Sequence, residues 1–535
     1  MGNIPLAFAQ DSQTTLTGWL NTVIGDPMPG SGLPAEYRVL LSDGQGGLLA
    51  QLDIDFELAQ AYQGQQVTIT GQHDIQAVQP LAENTPLGAQ ALTGSQRWVN
   101  VLCRFPDVVG EPHLPADYAV LFGSAYPGLD HYFRQLSYNN INLAGTVTTS
   151  AWYTMPQPRA YYLPGGSANL TALARDCAAA ADASVHFPSY VGINFMFNAD
   201  LNCCAWGGNT TLSIDGQTRG YRATWMPPWG QIYGTLAHEM GHGFGFPHST
   251  GPANNPPSSF SVYVSEWDVM SSVGGTCIVR DEEFYIYSIC IPQGTIAYHL
   301  DLNGWIPPSR RVVVNPGQKA TVTLEQLHKP SLNTNALIIR IPVKGSSTLF
   351  YTVEARALVF DDENYDQNIP DSAVIIHLVN TARSFQDGRA LVVDGDGNGD
   401  VNDAGATWLP GETFVDAARG ISIAVLSATP TSFTVRVRNH LPEDTSPRLN
   451  ASTNGSYAMT WNQVDWAVGY EIQVDTETSF TAPYYAHNPN LLSGDLSFNV
   501  TNAPDGLYYW RVRAKRSDGS WGAWSAAQSF EVVRP

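Results

Sequence analysis

The sequence predicts a multidomain α+β fold, in which an α/β region is flanked on both sides by all-β segments. Three observations lead there. At 535 residues the chain exceeds what one core can serve. Short runs rich in β-branched and aromatic residues, separated by Gly and Pro, fill residues 10–95 and return from 309 onward. Helical apolar spacing is concentrated between them.

Along the chain, residues 1–9 end in Ala7-Phe8-Ala9, a small-x-small cleavage pattern, and are expected to be the remnant of a signal peptide. Residues 10–95 carry "TTLTGWL", "EYRVLLSD", "LLAQLDID" and "QQVTITGQ", expected as a small β-barrel or sandwich and placed like a propeptide. A linker, "AENTPLGAQALTGSQ", follows. Residues 96–308 mix apolar strands ("RWVNVLCRF", "YVGINFMFN") with helices ("LDHYFRQLSY", "ANLTALARDCAAAADASV"). Residues 309–440 are expected as an accessory β-sandwich. Residues 441–535, with Trp461, Tyr470 and Trp510 as core, are expected as a further seven-stranded sandwich.

Charge narrows the partners. A formal net charge of -21 with only 27 Lys plus Arg argues against nucleic acid and anionic membrane, which need clustered positive charge. No apolar run reaches the length of a transmembrane helix. The six cysteines, Cys103, Cys177, Cys203, Cys204, Cys277 and Cys290, all fall between residues 100 and 300 without zinc-ribbon spacing. An even count so placed points to disulfides in a secreted protein. Cys277 and Cys290 bracket a loop and are the expected pair; the rest stay open.

The chemistry is concentrated in "LAHEMGHGFGFPHST", residues 236–250, which takes three of the chain's 12 His. His238 and His242 stand four apart, on one face of a helix. Gly245 allows a left-handed stop, after which the chain doubles back to His248. Three imidazoles with one position open form the ligand set of a catalytic Zn²⁺, and Glu239 beside the first ligand is placed as general base. The pattern is His-Glu-x-x-His-x-x-Gly-x-x-His, the metzincin signature. Met270, in "SEWDVMSSVGG", falls 22 positions after His248, where a methionine turn would support the histidines from below. Trp267 and Asp268 are read as structural.

With these residues in view, "FRQLSYNNINLAG", "LAHEMGHGFGFPHS", "WDVMS" and "IAYHLDLNGWI" resemble the gametolysin-type metzincin peptidases, related in outline to the immune inhibitor A peptidases. The resemblance covers residues 96–310, more loosely 311–440. The last 90 residues resemble a fibronectin type III module. The family implies a metzincin-like α/β catalytic domain and a secreted zinc metalloendopeptidase acting on protein or peptide substrates. It assigns zinc to His238, His242 and His248, the base to Glu239 and the turn to Met270. One departure stands out: some members carry a Tyr two residues after the turn Met, and this chain has Ser272. No Cys precedes Cys103, so inhibition by residues 10–95 would be steric or would use a group such as His73 or Asp74.

A second metal signal lies in "DGDGNGDVNDAG", residues 394–405. Asp394, Asp396 and Asn398, with Asp400 and Asp403, are candidate oxygen ligands of a structural Ca²⁺, although Gly405 stands where an EF-hand has Glu. The C-terminal module is expected to bind an extracellular polymer or act as a spacer. The alternative to the enzyme is a non-catalytic, matrix-binding adhesive protein with a decayed catalytic domain.

Overall fold

The computed structural model describes residues 15–70, 74–76, 92–253, 262–272, 291–331, 333–359, 363–440, 457–464 and 466–532. By contacts the chain divides into two compact units. The first comprises residues 1–310, 326–333 and 352–407, and the second 311–325, 334–351 and 408–535.

The first unit is built on an eleven-stranded sheet. Its N-terminal members are β1 (Thr15–Pro27), β2 (Glu36–Ser42), β3 (Leu48–Leu52), β4 (Gln66–Thr70) and β5 (Asp74–Gln76). Its other long strands are β6 (Trp98–Arg104), β7 (Gly192–Phe197), β8 (Cys204–Ile214) and β9 (Gln217–Met226). Their order is β6-β7-β9-β8-β1-β2-β3, with β4 also on β1. The join is antiparallel, from Val23↔Gly208 to Pro27↔Cys204.

This corrects the expected fold class. Strands dominate the described residues, and no free-standing α/β catalytic domain forms among them. The small N-terminal barrel or sandwich is not separate either, because β1 continues the sheet of residues 98–226. The physical reason lies in β1 itself, which is buried from Gly18 to its end. Leu20 and Ile24 enter a core with Val39, Leu41, Phe56 and Val67, while Val23 enters another with Val101, Phe195 and Trp206. Its polar residues are satisfied across the join: Asn209 donates to the Asn21 side-chain oxygen at 3.0 Å and accepts from the Thr22 N–H at 2.8 Å. Buried polar groups so paired lock register and strand partner.

Four helices matter to the site: α1 (Leu129–Leu136), α2 (Leu170–Ala181), α3 (Tyr233–Gly243) and α4 (Ala297–Leu302). Asn169 caps α2, its side chain accepting from the Ala172 N–H. A disulfide joins Cys103 on β6 to Cys177 on α2, and a second joins the adjacent Cys203 and Cys204. Cys277 and Cys290, the pair expected from sequence, lie outside the described residues. Helix α3 lies against β8, and Gly207 permits this: a Cβ there would strike the Glu239 carbonyl.

The expected central sandwich of residues 309–440 is not one body, since 326–333 and 352–407 belong to the first unit. The second unit holds a four-stranded antiparallel sheet, ordered Gln318–Glu325, Ser432–Asn439, Ile421–Thr429 and Thr413–Asp416. It also holds a C-terminal β-sandwich. One sheet there pairs Tyr457–Thr460 with Ser497–Val500, and the other runs Ala486–Leu492, Gly469–Asp475, Gly506–Lys515 and Gln528–Val532. Trp461, Tyr470 and Trp510 are buried in its core, as their spacing in sequence suggests.

Candidate metal centre

The centre starts from how α3 ends. The Gly245 N–H donates to the His242 carbonyl and the Phe246 N–H to the Gly241 carbonyl, with Gly245 at φ +92°. This left-handed cap reverses the chain, and only glycine adopts it cheaply. Three residues later His248 returns to the helix face that carries His238 and His242. The His238 Nε2 atom then lies 3.1 Å from that of His242 and 3.2 Å from that of His248. All three residues are buried.

The outer nitrogens are held by acceptors. The Val269 carbonyl takes the Nδ1–H of His238 at 2.6 Å, and the Phe246 carbonyl that of His242 at 2.9 Å. A carbonyl can only accept, so in both rings the Nε2 lone pair faces inward. Nδ1 of His248 lies 2.6 Å from the Tyr37 hydroxyl. Burial lowers all three imidazoles; His242 falls to about 4, whereas Asp26 outweighs burial and raises His238 above its usual value. Lone pairs this close repel unless a proton or a cation lies among them. Four donors around a zinc ion, at bond lengths near 2.0 Å, stand about 3.3 Å apart. The donor set and its spacing fit that ion.

A fourth donor comes from a residue that the sequence reading passed over. The Asp26 carboxylate, at the end of β1, lies 3.2 Å from His238 Nε2, 3.1 Å from His242 Nε2 and 2.9 Å from His248 Nε2. These four side chains offer ligand atoms all within 4.8 Å of one another. The Tyr263 hydroxyl donates to Asp26 Oδ1 at 2.5 Å. Nothing in the local sequence signals Asp26, Tyr37 or Tyr263, because strand pairing brings the first two to a helix more than 190 residues away.

Glu239 is fully buried, and neither carboxylate oxygen has a hydrogen-bond partner among the described residues. Burial first, and the Asp26 charge second, push its carboxyl well above the usual range. It lines a cleft of about 440 Å³ together with His238, Thr235, Trp229, Tyr263 and Ser272. The turn after β1, residues 27–33, forms another wall.

Met270 is buried with its sulfur against Gly241, one residue before His242. Its neighbour Val269 supplies the carbonyl that orients His238. Asp268 fastens this turn: it accepts from Ser249 at 2.6 Å, Thr295 at 2.7 Å and the Met270 N–H at 3.0 Å. Burial would raise its carboxyl, but His299 and these donors hold it well below the usual range. Trp267 donates to the Val401 carbonyl at 2.8 Å.

The acidic loop is arranged differently. Asp394 accepts from the Gly397 and Gly399 N–H groups, Asp396 from the Asn398 N–H, and Asp403 from the Gly405 N–H. The Asn398 amide bridges Asp396 and Asp403, and its oxygen accepts from the Asp400 N–H. Among the described residues, these carboxylates form no group of three with ligand atoms within 4.8 Å. Of the groups considered for inhibition, His73 lies outside the described residues and Asp74 is described only as part of β5.

No protein-family model matches the chain, and no curated protein matches it in sequence. Two solved structures are similar in part. A Fn3-like protein from Clostridium thermocellum is 22% identical over 18% of this chain and 94% of its own, with a TM-score of 0.15. The chicken CNTN1 FN1-FN3 domains are 12% identical over 43% of this chain and 65% of their own, with a TM-score of 0.16. The C-terminal sandwich itself consists of a two-stranded and a four-stranded sheet around a shared core.

Proposed function

We propose that the chain is a secreted zinc-dependent metalloendopeptidase of the metzincin kind. The observation that carries this reading is the convergence of three inward-facing imidazoles beside a buried carboxyl with no partner of its own. His238, His242 and His248 would hold the ion. Zinc, when bound, acts as a Lewis acid and lowers the pKa of water towards neutrality.

Glu239 does the proton work. Its carboxylate, buried in the cleft with no hydrogen-bond partner among the described residues, would take a proton from the attacking water and pass it to the leaving amine. The cleft of about 440 Å³ beside His238 and Glu239 would take a segment of the peptide substrate. Val269 and Phe246 keep two imidazoles in one tautomer and orientation. Export is supported by the Cys103–Cys177 disulfide, which persists in oxidising compartments. Calcium at 394–405, and an extracellular polymer as partner of the C-terminal module, belong to the same proposal.

The test is metal content and casein cleavage measured together. The chain should bind one zinc, and its casein cleavage, basal or after proteolytic release of latency, should be chelator-sensitive. Glu239→Gln should keep the zinc and lose activity by about 10²-fold to 10⁴-fold, because an amide cannot accept the proton. Near-normal turnover in that variant would refute the mechanism.

A further inference from the structure

We propose that Asp26 is a fourth ligand of the metal and keeps the chain latent until the end of β1 is released. The inference rests on the zinc reading above and adds how that site is regulated. The Asp26 carboxylate is 5% exposed and reaches all three ligand nitrogens within 3.2 Å. Among the described residues the Asp26 carboxylate is hydrogen-bonded or ion-paired with those imidazoles and the Tyr263 hydroxyl, and its charge also reaches Glu239 and Tyr37. A buried carboxylate facing nitrogen lone pairs is costly unless a cation lies between them. Three imidazoles and one carboxylate complete a tetrahedral shell.

A complete shell has no place for water, and catalytic zinc sites keep one position open. As a fourth ligand the Asp26 carboxylate would take the position that water needs, and with the turn at 27–33 it lines the cleft that also holds His238 and Glu239. The way Asp26 is held suggests how it is released. Its position depends on the last pairs of the β1–β8 ladder, Gly25↔Trp206, Asp26↔Ala205 and Pro27↔Cys204. Pro27 brings no N–H to that ladder. Residues 28–33 beyond it are exposed, with Met28 at 45% and Leu33 at 51%. An exposed turn of small residues is where a protease cuts most readily. A cut there frees the chain end that carries Asp26, while the rest of β1 stays paired.

The experiment uses the full chain loaded with Co²⁺, whose visible absorption reports the ligands, and acetohydroxamate as an added ligand. The wild-type spectrum should be unmoved by hydroxamate. In Asp26→Asn the spectrum should change on its own and respond to hydroxamate, and casein cleavage should rise by about tenfold or more. A wild-type spectrum that responds to hydroxamate as the variant does overturns the fourth ligand, and this arm stands even if the variant fails to fold. A variant that responds to hydroxamate yet gains no proteolysis overturns latency, leaving a closed structural site. Absence of bound metal from the wild type defeats the zinc reading itself, which is a different failure.

Discussion

At the scale of single residues, chemistry was legible where it is contiguous. His238, Glu239, His242, Gly245 and His248 share eleven positions, so helix geometry and one glycine cap are enough to foresee their meeting. Asp26, Tyr37 and Tyr263 reach the same point through strand register and a distant loop, which periodicity does not encode. Another buried cluster yields a pH prediction. Burial pushes Glu354 up to about 7 from 4.5, while Arg356 and the Ala297 N–H pull the other way. Between these values the folded chain holds a proton that the unfolded chain has released. The resulting stability is fully present below pH 4.5 and is lost as pH rises to about 7. Glu354→Gln should flatten that part of the Tm–pH curve, read by thermal unfolding from pH 4 to 8. An unchanged slope would assign it to other groups.

At the scale of elements, most strands were readable from composition, but which strands share a sheet was not. Residues 15–27 do not alternate cleanly, because β1 is packed on both faces and buries Asn21 and Thr22 through side-chain partners on other strands. An edge of a separate sandwich would have shown a polar face. The Cys103–Cys177 bridge closes a separation of 74 residues, and its removal by Cys103→Ser with Cys177→Ser should lower stability by about 4 kcal/mol. Urea unfolding of the double variant measures this. The acidic loop makes a contrasting case. Its carboxylates are engaged by backbone N–H groups. If calcium binds there, millimolar Ca²⁺ should raise Tm, and Asp394→Ala with Asp396→Ala should abolish the rise. A full rise in the double variant would place the ion elsewhere.

At the scale of the whole molecule, the sequence suggested a string of domains, whereas contacts define two units with interleaved segments. Such interleaving depends on which distant strands meet, and local patterning is silent on it. The N-terminal region illustrates the consequence. A cut within residues 77–91 should leave residues 15–70 bound, because β1 is hydrogen-bonded to β8. The two fragments should co-elute in size exclusion and separate only in denaturant. Elution of a free N-terminal fragment under native conditions would argue against the shared sheet. The central claim, that three imidazoles form a metal site, is tested most directly by zinc content of the purified full chain. The wild type should carry one zinc per chain and His238→Ala with His242→Ala close to none, since one imidazole and one carboxylate fall short of the three protein ligands that hold a catalytic zinc. Equal zinc in both, or none in the wild type, would contradict the account.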